Sequence, residues 1–200
     1  MRVAILISGG GSNMVALIQA MRAGGWAEPC LVLSNNPTAA GLEKAQALGV
    51  PAQVLDHREF PTREAFDTAL SETLREAGAD LICCAGFMRV LGPTFVAAHS
   101  GRILNIHPSL LPLFPGLDTH KRALEAGVAI HGCTVHEVTP ELDGGPILGQ
   151  AAVPVLGGDT AESLAQRVLR QEHRLYPAVL QAICAGTPLK DAPIALLADA

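Results

Sequence analysis

Val3-Ala4-Ile5-Leu6-Ile7-Ser8-Gly9-Gly10-Gly11-Ser12-Asn13 joins five apolar residues almost directly to three glycines. An unbroken apolar run of strand length, closed by glycine, suits a strand buried on both faces. Residues 12–21 then place Val15, Ile18 and Met21, with Leu17 beside them, on one helical face. A buried strand, a glycine turn and an amphipathic helix make the opening of a βαβ unit.

The same alternation continues outward. Residues 30–33 form a second short strand, ended by Ser34-Asn35-Asn36-Pro37, and a helix through Leu42, Ala45 and Leu48 follows. Residues 53–55 make a weaker third strand. Residues 62–77 make a helix with Phe66, Leu70 and Leu74 as its apolar stripe, and residues 81–85 a fourth buried strand. The pattern predicts an α/β fold, a parallel sheet covered by helices on both faces.

The second half is less regular. Residues 102–106 suit a strand stopped by Pro108, residues 112–116 a loop, and residues 119–126 a short helix. Residues 132–138 alternate in the manner of a partly exposed strand, and residues 147–155 form another, broken by Gly149 and Pro154. A long helix over residues 161–185 is expected to bend or break near Pro177. The tail over residues 187–200 has no pattern and is expected to be loosely held.

Composition bounds the function. Of the 200 residues, 49% are hydrophobic and 16% charged, enough for a large core, and the 4% aromatics leave that core to aliphatic side chains. A net charge of −5 without a basic cluster disfavours a nucleic-acid surface. Five cysteines without C-x-x-C spacing suit a reducing compartment. The apolar run after Met1-Arg2 is too short for a signal peptide, and nothing approaches a membrane span. A soluble cytoplasmic protein is expected, as monomer or homodimer.

The glycine turn has chemistry of its own. Glycines let the main chain approach a ligand, and free N–H groups at a helix start favour an anion. The dinucleotide fingerprint fails because Met14 stands where a third glycine belongs, and no Gly-Lys-Ser/Thr follows for a P-loop. The loop therefore suits a single phosphate; the same residues also suit a plain tight turn capped by Ser12.

Leu104-Asn105-Ile106-His107-Pro108 ends a strand, so Asn105 and His107 share one face. Open α/β sheets bind ligands at such strand ends. An amide N–H and an imidazolium can both donate to a developing oxyanion, and the second can deliver a proton. Two polar groups at a solvated strand end would look the same. Asp143, in the turn-rich stretch Thr139-Pro140-Glu141-Leu142-Asp143-Gly144-Gly145-Pro146, is a candidate partner, since a carboxylate beside a histidine favours the charged ring. It could equally bond its own backbone before two glycines.

Other chemistries lack their signatures. No H-E-x-x-H or ligand-spaced pair supports a metal, and His131 and His136 fall on opposite faces of a strand. Cys83-Cys84 suit a core, and no G-x-S-x-G elbow is present.

Gly11-Ser12-Asn13, Ala85-Gly86-Phe87-Met88-Arg89, Asn105-Ile106-His107-Pro108-Ser109-Leu110-Leu111-Pro112 and Glu141-Leu142-Asp143-Gly144-Gly145 together resemble the folate-dependent formyltransferases. Within them they are most similar to the phosphoribosylglycinamide formyltransferase family, also called glycinamide ribonucleotide transformylases. The likeness runs over residues 2–186. It implies a single formyltransferase domain over residues 1–186: a Rossmann-like parallel half over about residues 1–100 for the nucleotide, then a mixed-sheet half for catalysis and folate.

The resemblance implies formyl transfer from 10-formyltetrahydrofolate to the amine of glycinamide ribonucleotide, with small-molecule substrates and no metal. Asn105 and His107 would stabilise a tetrahedral oxyanion, and Asp143 would keep His107 protonated. Gly11, Ser12 and Asn13 would hold the phosphate and Glu172 the ribose. Relatives often place a lysine or glutamine where this chain has Leu169, so Arg170 is the substitute expected for the phosphate. Asp118 also departs from the common histidine or asparagine. The folate would lie against Met88, Arg89, Val90 and Leu91, with Asn105, and the loop Thr139, Pro140, Glu141, Leu142 and Asp143. Arg63 would meet its glutamate. Leu111-Pro112 matches a cis bond.

The nearest alternative is another user of the same folate, a formyltransferase for a different amine or a hydrolase; the further domains of those relatives are not expected within 200 residues. A phosphate-sensing module without catalysis would need the glycine loop but not Asn105, His107 and Asp143 together.

Overall fold

In a computed structural model of the chain, residues 1–197 are described. Six α-helices and eight strands are assigned among them. The strands are β1 (Arg2–Ile7), β2 (Glu28–Ser34), β3 (Ala52–Val54), β4 (Leu81–Cys84), β5 (Ile103–His107), β6 (Ile130–Glu137), β7 (Ile147–Pro154) and β8 (Ile194–Leu197). The helices are α1 (Ser12–Gly24), α2 (Gly41–Ala47), α3 (Arg63–Glu76), α4 (Pro93–Ala98), α5 (Thr119–Glu125) and α6 (Ala161–Cys184). The strands form one mixed sheet in the order β3-β2-β1-β4-β5-β6-β7-β8, and the chain divides into two compact units, Met1–Asn105 and the residues from Ile106 onward.

The first unit is the parallel βαβ array that its apolar runs dictate. β1 pairs with both β2 and β4, β2 with β3, and β4 with β5, all parallel. Val3 to Ile7 have no exposed surface; burying each of the larger side chains contributes roughly 1.5–3 kcal/mol. Met14, Leu17, Ile18 and Met21 are the buried stripe of α1, and Phe66, Leu70 and Leu74 that of α3. Thr62 caps α3 by accepting from the Ala65 N–H. α4 was not apparent from periodicity: six residues give too little pattern, though proline at its start is a usual entry.

In the second unit β6 runs antiparallel to β7, and β8 parallel to β7. Three expectations change here. β6 is buried from His131 to Glu137 rather than partly exposed, because its polar side chains find partners inside: the Thr134 hydroxyl donates to the Ser109 carbonyl at 2.7 Å and accepts from the Leu111 N–H at 3.0 Å. α6 runs through Pro177 without interruption. A capping box of Thr160 and Ser163 starts it, and a buried face from Leu164 to Leu180 holds it against β6 and β7, outweighing one missing hydrogen bond. Finally, the segment expected to be loose contributes β8, and the Lys190 ammonium pairs with Glu137 at 2.5 Å; residues 198–200 lie outside the described residues. No helix among the described residues is long and apolar enough to cross a membrane.

Candidate active site

In the first unit, the glycine turn opens α1 with main chain alone. Gly11 is the N-cap, with φ 68°, and no side chain caps the helix, so Ser12 does not fill that role. Two contacts keep the turn open and narrow. The Gly41 N–H donates to the Gly9 carbonyl at 3.0 Å, and a Cβ on Gly11 would come within 2.8 Å of the Met14 methyl and 3.0 Å of Gly41 Cα. The Ser8 hydroxyl accepts from the Met88 N–H at 2.7 Å and donates to Asn35 Oδ1 at 2.5 Å. The result is a cleft of about 350 Å³ lined by residues 8–13, Lys44, Gly86 and Met88. Lys44, from α2, donates to the Gly10 carbonyl at 2.8 Å. Sequence reading missed it, because a basic residue on a short helix has no motif to mark it.

The 88–92 segment is anchored to α3. Asp67, 6% exposed, accepts from the Gly92 N–H at 2.8 Å, and burial pushes its carboxyl above the usual range. The Arg89 guanidinium lies 4.6 Å from the centre of the Phe66 ring, so its side chain turns toward the helix and leaves main chain for any ligand. Met88 and Val90 are strongly exposed, and Arg63 stands in solvent at the start of α3.

β5 places Asn105 and His107 on one face, with Asn105 half-buried and His107 buried. In the second unit both ring nitrogens of His107 meet acceptors. Nε2 donates to the Phe114 carbonyl at 3.0 Å, and Nδ1 lies 3.5 Å from Asp143 Oδ2. Asp143 is therefore brought to His107, although 36 residues separate them in the chain. Its own backbone is left-handed, with φ 52°, and its Oδ2 also accepts from the Gly116 N–H at 2.9 Å. Its Oδ1 lies 3.8 Å from His136 Nε2.

Burial pushes the surrounding histidines below their usual range. Burial pushes His136 below the usual histidine range, against the pull of the Glu137 carbonyl, which accepts from Nδ1 at 2.9 Å, and of Asp143. Burial takes His131 down to about 4, with His120 adding to the effect at a ring-nitrogen distance of 3.2 Å. His136 and the Phe114 and Gly116 main-chain groups escaped sequence reading, since β-strand parity and turn composition say nothing about what a loop folds back upon.

On α6, Glu172 and Gln171 are each 8% exposed. Arg170 is exposed and, two residues before Glu172, lies on the other side of the helix. Thr139 is half-buried, Pro140, Glu141 and Leu142 are exposed, and the Leu111-Pro112 bond is cis. Among the described residues, no group of three or more His, Cys, Asp or Glu is placed to hold a metal ion. Cys84 belongs to the core, its thiol pushed up to about 12 by burial.

The formyl transferase family pattern matches residues 1–180. The chain is 46% identical over 181 residues to the phosphoribosylglycinamide formyltransferase of Escherichia coli (strain K12), covering 90% of this chain and 85% of that one. It is 48% identical over 186 residues to the trifunctional purine biosynthetic protein adenosine-3 of Bos taurus, covering 92% of this chain and spanning only 18% of the relative's length. Among solved structures, the phosphoribosylglycinamide formyltransferase of Brucella melitensis matches with a TM-score of 0.88 at 58% identity, over 92% of this chain and 96% of that one. By sequence and by structure alike, the chain belongs to the formyl transferase family.

Proposed function

We propose that this chain transfers a formyl group from 10-formyltetrahydrofolate to the amine of N1-(5-phospho-D-ribosyl)glycinamide, a step of purine biosynthesis carried out in the cytoplasm. The observation that carries the chemistry is the buried His107, set between the Asp143 carboxylate and the Phe114 carbonyl. The bond to Phe114 fixes the ring's direction, and Nδ1–H, in the looser contact, is the donor left for substrate.

The amine nitrogen bonds to the formyl carbon as the carbonyl electrons move to oxygen. Asn105 and His107 donate hydrogen bonds to that oxyanion, where preorganised donors lower the barrier most. Asp143, directly or through water, takes the proton that the attacking amine loses. Collapse of the intermediate re-forms the carbonyl and breaks the bond to the folate nitrogen, which takes a proton from His107.

The main-chain N–H groups of Gly11, Ser12 and Asn13 would hold the single phosphate. Lys44 supplies a cation there, in a chain whose Leu169 is uncharged and whose Arg170 faces solvent. The buried Glu172 would meet the ribose hydroxyls. For the formyl donor, a substrate rather than a resident group, the exposed apolar Met88 and Val90 would offer surface for a flat ring, and Arg63 a partner for its carboxylate. The test is a formyl-transfer assay with purified chain, both substrates and saturating folate. Release of tetrahydrofolate with stoichiometric formylated ribonucleotide is expected, and absence of turnover sinks the proposal.

A further inference from the structure

The turn after β5 carries one partner of His107 and holds the other. Its Phe114 carbonyl accepts from Nε2, and its Gly116 N–H holds the Asp143 oxygen that faces Nδ1. Three of the five residues from Phe114 to Asp118 have left-handed backbone: Phe114 at φ 55°, Gly116 at 77° and Asp118 at 55°. Two of these are not glycine, and that conformation is costly for residues with a Cβ, so the turn needs an external hold.

The early part of the loop is tied to the sheet. The Ser109 carbonyl accepts from Thr134, and the Leu111 carbonyl accepts from Gln150 Nε2 at 2.9 Å. The later part is clasped from α5 by Arg122. Its Nη1 donates to the carbonyls of Pro115 and, at 3.2 Å, Leu117, the two neighbours of Gly116. The guanidinium also lies 5.7 Å from the centre of the Phe114 ring, which meets the His131 ring edge-on at 6.0 Å.

We infer that Arg122 is a positioning residue for the catalytic pair. By holding the carbonyls on either side of Gly116 and covering the Phe114 ring, it directs the Phe114 C=O and the Gly116 N–H. Those two groups in turn orient the His107 ring and the Asp143 carboxylate. Arg122 touches none of these four atoms itself. Both carbonyl bonds come from one nitrogen, Nη1, which an ammonium could replace, while the planar guanidinium also lies against the aromatic ring. The inference rests on the reaction proposed above.

Arg122→Gln removes the charge and the ring contact while keeping a side chain that can reach one carbonyl; Arg122→Lys keeps the charge. For Arg122→Gln, kcat should fall about 10-fold to 100-fold, the scale of a misplaced catalytic group, with KM for both substrates within about twofold. Arg122→Lys should recover most of that loss. In the ligand-free chain, nitrogen NMR signals of the His107 ring should move in Arg122→Gln while amide signals from β1 stay in place. A kcat within about twofold of wild type together with unmoved His107 signals overturns the inference, as does a loss shared equally between kcat and KM. If wild type fails to transfer formyl yet the His107 signals still answer to Arg122→Gln, the proposed reaction falls and the positioning stands.

Discussion

The two units would serve the proposed reaction with different material. In the proposed reaction, residues 1–105 would bind through a glycine turn, by main-chain N–H groups and a narrow approach, with Lys44 at the rim. The residues from Ile106 onward would present side chains, His107 and Asp143, each bonded to the left-handed turn over residues 114–118. A site made of backbone should tolerate exchange of its side chains but not the addition of a single methyl group. A site made of side chains should fail at the loss of one atom's charge and care little about nearby volume.

Asp143→Asn tests the second half of that contrast most severely. Asparagine keeps the shape and can still accept from Gly116, but it loses the charge beside His107. Turnover should fall roughly 10²-fold to 10⁴-fold, the range of a lost acid–base partner, while ribonucleotide affinity stays within about threefold. Near-normal turnover across pH would mean that charge at Asp143 does not drive the chemistry.

Gly11→Ala is the corresponding stress on the first unit. Gly11 sits at φ 68°, and a Cβ would press on Met14 and Gly41, so alanine strains the turn by about 1–3 kcal/mol. Ribonucleotide binding measured by calorimetry should weaken about 10-fold to 100-fold. Ser12→Ala leaves its N–H in place and should change affinity by less than about threefold. If the two variants behave alike, the cradle depends on side chains after all.

This division also explains what could be read in the chain before its structure. The glycine turn and the strands around it were legible because strand burial, turn and helix face are local in sequence: Val3 to Ile7 announce themselves, and so does the stripe of α3. The placement of Asn105 and His107 on one face was legible for the same reason. The approach of Asp143 to His107 was not, since a loop's return depends on contacts such as Ser109 with Thr134 that leave no periodic trace. The burial of β6 was misread because polar residues normally mark an exposed face, and here each is satisfied inside. β8 escaped notice because its pairing with β7 comes from a sheet edge far back in the chain.

Lys44→Ala asks how far the backbone cradle leans on its single cation. A rim lysine in high dielectric contributes about 1 kcal/mol, so affinity for the ribonucleotide should weaken about fivefold. The difference between variant and wild type should shrink as salt rises. A loss insensitive to salt would point instead to the Gly10 carbonyl contact, and hence to the shape of the turn.

The smallest expected effect separates the units by acid. Five of the seven histidines lie in the second unit, among them His120, His131, His136 and His173, all pushed down by burial, His131 to about 4. An unfolded histidine titrates near 6.5. Above that pH neither state of His131 binds a proton, and its contribution to stability is full. As pH falls below about 6.5 the unfolded chain takes up protons that the folded chain refuses, so stability declines until the folded ring itself titrates near 4. In the first unit His99 shifts in the same direction, but its sheet core carries no comparable cluster. Hydrogen exchange compared between about pH 7 and pH 5 should therefore show protection falling further in β6 than in β1. His131→Gln should remove part of that decline, because glutamine has no proton to gain. Equal loss of protection in both strands, in wild type and variant alike, would mean that the buried histidines do not govern the acid response, and that the two units differ in catalysis but not in how they are held together.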